Sequence, residues 1–302
     1  MQLLQFLKHN KFLFLHCFIY IVGFYGIYRL FGDISLWFLV AAFVWSKLIQ
    51  LIGHSIGFHR YFSHSSFETT KFGHWLICLT SILIGVGSPI SYARNHRFHH
   101  RMADEQRDLH SPVTDGKIRT FLGLWTFHDL NWFLKKGTVQ VRDLIKDPLI
   151  RWIHKWYYEI WTILIIGTCL IDWKLMVYGL VLPSLIFHIE LNIFVNFFGH
   201  SYGYRNFETP DWSRNNMWIQ WYNLGEGLHN NHHEHAGLYD FAIYDGEFDP
   251  SAWVIDKFLA VPDSKKTKAG KLKIHEPAKF NNKTILHDPE NEYPKWLFSR
   301  YE

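Results

Sequence analysis

Long apolar runs alternate with polar stretches along the chain. Phe12–Tyr28 is seventeen residues without a formal charge, and Ile34–Phe58 is twenty-five whose only charge is Lys47. Only Arg29–Asp33 separates them. Two runs near membrane-spanning length with so short a linker predict a transmembrane hairpin. A cleaved signal peptide is the alternative for the first run, but no small-residue cleavage site follows it. A second hairpin is predicted later. Ile160–Ile171 is short, with Trp152, Trp156, Tyr157, Tyr158 and Trp161 crowding its entrance as interfacial aromatics do. Asp172-Trp173-Lys174 makes the turn. Leu175–Phe198 then returns, interrupted only by His188, Glu190, Asn192 and Asn196. The four spans fall at about 12–30, 34–58, 157–172 and 175–198.

Phe72–Ala93 is also long enough to cross, at twenty-two uncharged residues. If it crossed, His59 and His64 would lie on one side of the membrane and His96–His100 on the other. Should those histidines share a site, 72–93 must be interfacial or re-entrant, a path that Gly73, Gly85, Gly87 and Pro89 suit. Residues 60–155 carry fourteen Lys or Arg, and each hairpin turn carries one, Arg29 or Lys174. The positive-inside tendency then puts both termini and the long loops in the cytoplasm. Residues 1–260 form the membrane domain in this reading, and 261–302 a polar, peripheral C-terminal tail.

Composition removes several classes. Hydrophobic residues are 48% and aromatics 18%, yet mean hydropathy is only −0.07, which excludes a wholly lipid-embedded bundle and a disordered chain. Net charge is +4 with scattered cations, so nucleic acid is not expected as a partner. Cys17, Cys78 and Cys169 sit in apolar runs without a CxxC, against a disulfide framework or a Cys-based metal site.

Histidine is the anomaly, at 20 of 302 residues. Three groupings recur: His59-Arg-Tyr-Phe-Ser-His64, His96-Arg-Phe-His99-His100 and His229-Asn-Asn-His232-His233. On a helix, i, i+3 and i+4 share about one face, so each HxxHH offers up to three imidazoles together. The HxxxxH spacing turns about 140° on an α-helix, so its rings converge less well. His54–His59 has the same spacing, and spacing alone does not choose between the two. His188, Asn192, Asn196 and His200 recur every four residues in an apolar helix, which marks a site, a wet cavity or polar glue between helices. Imidazole suits zinc, copper, iron and nickel alike. Eight or nine histidines exceed what one ion takes, so two ions are implied. Asp104, Asp108, Glu226 and Glu234 are read as acceptors that orient ring N–H groups.

With these motifs the chain resembles the membrane fatty-acyl desaturases of the Δ9, stearoyl-CoA-desaturase-like kind. The carrying residues are HRYFSH (59–64), RNHRFHH (94–100), NFFGHSYGYR (196–205) and GEGLHNNHH (225–233). Asp108–His110, Tyr239–Ala242 and 248–260 extend the likeness, the last being similar to bacterial members. It covers about residues 35–260. The resemblance implies an all-α integral membrane fold, with two hairpins as a stem and a cytoplasmic helical cap over a di-iron site. It implies His59, His64, His96, His99, His100, His200, His229, His232 and His233 as iron ligands, and selects His59 over His54. Asn196 matches an asparagine that contacts one iron through water. Asp104, Asp108, His110 and Glu226 would support the ligands.

The family's usual Arg-Asp is Arg94-Asn95 here. Asp at that place helps hold coenzyme A in the animal enzymes, so the carrier stays open between coenzyme A, acyl carrier protein and lipid. Lys47 and Leu51 match the distal acyl tunnel; alternatively Lys47 snorkels or pairs with a neighbouring helix. The implied reaction is O2-dependent insertion of a cis double bond, with hydroxylation or acetylenation as the runner-up. An unactivated methylene C–H is beyond side-chain acid–base chemistry, and two irons with O2 supply the oxidant. No dinucleotide fingerprint, haem motif or cysteine cluster is present, so two electrons per turnover must come from a ferredoxin or a b-type cytochrome with its reductase. The basic loop 60–155 offers a docking surface for an acidic carrier, or is simply solvated. A metal transporter would instead distribute ligands along the spans. The expected location is a bacterial inner membrane rather than endoplasmic reticulum, with the site on the cytoplasmic side.

Overall fold

The computed structural model describes residues 10–105, 108, 110–114, 116–123 and 141–280. Residues 124–140 of the basic loop and 281–302 of the predicted tail lie outside the described residues. The described chain is mostly helical. The helices that matter for the site are α1 (Lys11–Leu30), α2 (Trp37–Ser63), α3 (Lys71–Leu83), α4 (Pro89–Met102), α5 (Pro148–Ile171), α6 (Leu175–His200), α7 (Met217–Tyr222) and α8 (His229–Glu234).

Among the described residues, α1, α2 and α6 are long and apolar enough to cross a membrane. Helix α5 has the length, at 24 residues. Its first half, with Arg151, His154, Lys155 and Glu159 among Trp and Tyr, is too polar for that class. One stripe of it, Ile150, Ile153, Tyr157 and Trp161, is buried, while Ile163, Ile166, Leu170 and Ile171 are exposed. The segment 72–93 is two helices rather than one span. Helix α3 is 13 residues, about 20 Å at the α-helical rise, against ~30 Å for a hydrocarbon core. Gly85 (φ +85°) and Gly87 (φ +105°) then take left-handed conformations that L side chains rarely adopt. Helix α4 restarts with Pro89 in its first turn and the Ser88 hydroxyl accepting from the Ser91 amide.

Helix α6 is central: 72% of its apolar window is buried, against 33% for α1 and 44% for α2. At Gly23 a Cβ would meet Leu185 Cδ2 at 2.5 Å, so α1 lies close against α6 here and a larger residue would push the Leu185 side chain aside. Hydroxyl-to-carbonyl bonds pin the neighbours: Ser46 to Pro183, Ser184 to Leu83 and Tyr178 to Gly26, each 2.9 Å. Where no water competes, such bonds contribute about 1 kcal/mol each.

The second half of α2, Gln50–Ser63, is wound as wide π turns. The His64 amide donates to the His59 carbonyl at 3.2 Å. An i→i+5 turn returns the fifth position to nearly the same face. The 140° divergence expected for HxxxxH on an α-helix therefore does not arise.

Beyond α6 the chain folds around a second apolar cluster of Tyr204, Leu228, Phe241, Ile243 and Ala278. Tyr244–Asp245 pairs in parallel with Ile274–Pro277. The Tyr239 amide donates to Gly270 O at 2.8 Å, and Val261 N to Glu68 O at 2.8 Å. Residues 261–280 of the predicted tail are thus laid onto the body.

Candidate metal centre

Three segments and one helix end converge. The π-wound end of α2 brings His59 and His64; α4 brings His96, His99 and His100; α6 ends on His200; α8 carries His229, His232 and His233. The histidines fall into two groups. His59, His64, His96, His100 and His232 form one, and His99, His200, His229 and His233 the other, each with one ring nitrogen per residue within 4.8 Å of the rest. In the first group Nε2 atoms approach at 2.8 Å (His59–His232, His64–His96, His100–His232) and 3.0 Å (His96–His100). In the second they approach at 2.9 Å (His200–His229) and 3.1 Å (His229–His233).

The outer ring nitrogens show which proton each imidazole carries. His59 Nδ1 meets Glu226 at 2.6 Å, His99 Nδ1 meets Asp108 at 2.8 Å, and His200 and His233 Nδ1 meet Asp104 and Asp211 at 2.9 Å. A carboxylate only accepts, so each Nδ1 carries the hydrogen and each Nε2 turns a lone pair inward. Burial alone would raise these four carboxyls. The facing imidazoles outweigh it, and all four lie below their ordinary range. His229 Nδ1 and His232 Nδ1 are buried without a partner. The inward Nε2 atoms crowd one another at 2.8–3.1 Å, and two facing lone pairs make no hydrogen bond. Two cations would satisfy these Nε2 atoms, since ligands about 2.1 Å from one ion at right angles are about 3 Å apart.

Support reaches further out. Asp104, left-handed at φ +60°, also accepts from Trp212 N at 2.7 Å. Asp108 takes the Asp104 amide at 3.0 Å. Arg60 is fully buried and spends its guanidinium on Glu226 (2.9 Å), Asp249 (2.8 Å), Ser55 O, Gly225 O and Tyr239 O. The Asn215 side chain accepts from the Asn230 and Asn231 amides in the first turn of α8.

A cavity adjoins the histidines. Its lining includes His59, Tyr92, Asn95, His96, His99, His110, Asn196 and Glu226, and continues past Val86, Leu191, Asn192 and Val195 to Phe12, His16, Tyr20 and His188.

The fatty acid desaturase family matches residues 34–241. The chain belongs to that family. With three helices of spanning length, it is a membrane protein. It is 30% identical over 258 residues to the sn-2 palmitoyl-lipid 9-desaturase of Nostoc sp. (strain 36), covering 81% of this chain and 88% of that one. It is 30% identical over 205 residues to a probable lipid desaturase of Arabidopsis thaliana, covering 63% and 53%. Similarity to the hex-5-enoyl-[acyl-carrier protein] acetylenase of Moorena producens (strain JHB) is 30% over 203 residues, 61% and 63%. The chain thus spans about half of the plant relative and most of the Nostoc one.

In this desaturase-family chain the nine histidines named from sequence all lie in the two groups. Asn196 lines the cavity and donates to Asn192 Oδ1 at 3.2 Å. His110 lies 3.6 Å from Asp108. Asn95 lines the cavity and Arg94 sits half-buried on α4. Glu234 is exposed, and among the described residues no histidine ring pairs with it. Lys47 and Leu51 are not among the cavity's lining residues. Lys47 instead pairs with Glu190 of α6 at 2.6 Å, and Tyr222 of α7 donates to the same carboxylate at 2.9 Å. His54 stands apart from both groups, 2.8 Å from the Tyr92 hydroxyl. The sequence reading missed Asp211 and Arg60. Arg60 had a signal, since it stands inside the HR-x-x-x-H motif. Asp211 had none, lying 22 positions before the ring it holds.

Proposed function

We propose that the chain is an O2-dependent fatty-acyl desaturase that places a cis double bond, of Δ9 type, in a carrier-linked acyl chain. The observation that carries this reading is the pair of inward-facing histidine groups at the wall of an elongated cavity. His59, His64, His96, His100 and His232 would hold one iron; His99, His200, His229 and His233 would hold the other, with Asn196 beside it. When bound, the two irons supply the O2-derived oxidant that methylene C–H cleavage requires. The chain's own residues do the rest. Glu226, Asp108, Asp104 and Asp211 fix the ring orientations before metal enters. Tyr92, Val86 and Val195 line the cavity beside the groups and restrict water.

The membrane arrangement follows from the same reading. Helices α1 and α2 form one hairpin, α5 and α6 the other, and α3 lies at the interface. Both termini and the cap face the cytoplasm of a bacterial inner membrane. Electrons arrive from a ferredoxin or a b-type cytochrome with its reductase.

The test is a fatty-acid profile by gas chromatography–mass spectrometry. The host lacks its own desaturase and supplies ferredoxin and reductase, with His232→Ala as control. A new monounsaturated chain absent from the control is expected. The likeness to an acetylenase favours one second reading, and an alkynyl product, or a hydroxylated one, would establish the runner-up instead.

A further inference from the structure

Helix α8 is six residues long, and a helix that short does not hold itself. Yet it serves both histidine groups, through His232 in the group of five and through His229 and His233 in the group of four. At about 100° per residue these three rings share one face of α8, and Asn231 lies opposite. Whatever grips the back of this helix therefore sets where the rings point.

The Asn231 side chain is fully buried, and every polar valence on it is in use. Its Oδ1 accepts from Asn206 Nδ2 at 2.8 Å and from Asn215 Nδ2 at 2.7 Å. Its Nδ2 donates to Phe241 O and to Glu247 Oε2, each at 2.8 Å. Two lone pairs and two hydrogens leave the amide a single orientation. Glu247 is the hub behind it. Besides Asn231, its carboxylate accepts from the Tyr204 hydroxyl at 2.8 Å, from Asn206 Nδ2 at 2.7 Å and from the Ile243 and Tyr244 amides at 3.0 Å. Donors converging from all sides need a group that only accepts, and at this size that is a carboxylate. Asn206 reaches further out. Its side-chain and main-chain oxygens receive the Lys279 amide and ammonium, each at 3.0 Å. A continuous path of hydrogen bonds thus leads from the C-terminal segment to the back of α8.

We propose that Glu247 is a positioning residue for the metal centre. Through Asn231 and Asn206 it fixes the roll of α8, and Lys279 makes the C-terminal segment part of that support. This rests on the reading of the histidine groups as metal ligands. Such ligands must be held within about 0.5 Å of their working geometry, so a loosened hub weakens both sites together. Asp211, by contrast, holds one ring of one group.

The test is iron affinity in the full chain, by chelator competition well below the melting temperature of the metal-free protein. Glu247→Gln keeps the shape and puts an NH2 among the donors. Both irons should bind about ten-fold more weakly, the scale of a lost outer support. Lys279→Pro removes the amide that reaches Asn206 Oδ1, and should weaken both by about two- to three-fold, as one hydrogen bond would. It carries the test by itself should Glu247→Gln not fold. Ser46→Ala, which removes a stem hydroxyl bond, controls for stability alone: a lower melting temperature with iron held as in wild type. Wild-type affinity in Glu247→Gln, whatever its melting temperature, would make the hub purely structural and overturn the proposal. Loosening of a single iron would overturn it too, and wild-type affinity in Lys279→Pro would remove the C-terminal segment from the support. A wild-type chain that takes up no iron would instead defeat the metal reading itself.

Discussion

The two histidine groups use the same side chain and are held in different ways. Among the described residues, a carboxylate holds one ring of the group of five, His59 through Glu226. Three carboxylates hold rings of the group of four: Asp108 on His99, Asp104 on His200 and Asp211 on His233. The group of five compensates through packing. His59 and His232 touch Phe241, and Arg60 lies 3.8 Å over the same ring while gripping Glu226. One group is thus oriented mainly by charge and the other mainly by a buried scaffold. The difference predicts that carboxylate changes will strike the group of four through metal affinity, and scaffold changes the group of five through folding.

The largest expected effect falls on the ligands of the group of five. His232→Ala removes the ring whose Nε2 meets both His59 and His100. Product should fall below detection in the fatty-acid profile, and iron per chain, by mass spectrometry, should drop by about half. Wild-type turnover with full iron would overturn the assignment of the group of five.

Arg60→Ala attacks the scaffold. It leaves Glu226 and Asp249 buried without their guanidinium. Breaking a buried pair by removing one partner costs about 3–5 kcal/mol. Thermal unfolding in detergent should show the loss even in protein stripped of metal. A melting temperature unchanged from wild type would mean that the group of five does not depend on this scaffold.

The two halves of this comparison were unequally legible in the sequence. The histidines announced themselves because their spacing is local: HxxHH reads directly as one helix face. The HxxxxH motif was misjudged by geometry, since its convergence depends on the π turns of Gln50–Ser63, and no residue pattern marks a change of helical pitch. Three of the four orienting carboxylates were named, each close in sequence to a histidine box. Asp211 was not, because it reaches His233 through a turn fixed by Thr209, Ser213 and Asn230 rather than by any period. Glu234 was named for being adjacent to a ligand, yet on α8 adjacency points it outward. The apolar runs located α1, α2 and α6. Helix α5 was weaker because Arg151, Lys155 and Glu159 dilute its first half. Lys47 found the partner-helix alternative: the charge that looked out of place in α2 has its counter-ion, Glu190, on α6.

Asp211→Asn sharpens the comparison from the other side. It keeps the shape and an acceptor for His233 Nδ1 but removes the charge. Changing such an orienting partner costs about ten- to a hundred-fold in metal affinity. Chelator competition should show one iron leaving more easily, the second as firmly held as in wild type, and the metal-free melting temperature almost unmoved. Equal loosening of both irons would show that the groups share their support and that the contrast is false.

Glu234→Gln is the smallest effect and the strictest control. Glu234 and Asp211 are both carboxylates near His233, one by sequence and one in space. Glu234 sits exposed on α8, where water solvates it, and among the described residues no ring nitrogen pairs with it. Its replacement should leave iron affinity and product within about two-fold of wild type, as surface changes do. The same assay that detects Asp211→Asn serves here, so the pair is read on one scale. If Glu234→Gln loosens iron as much as Asp211→Asn does, then net charge near the metals rather than a directed hydrogen bond holds the group of four. The orientation argument would then fail for Asp104 and Asp108 as well.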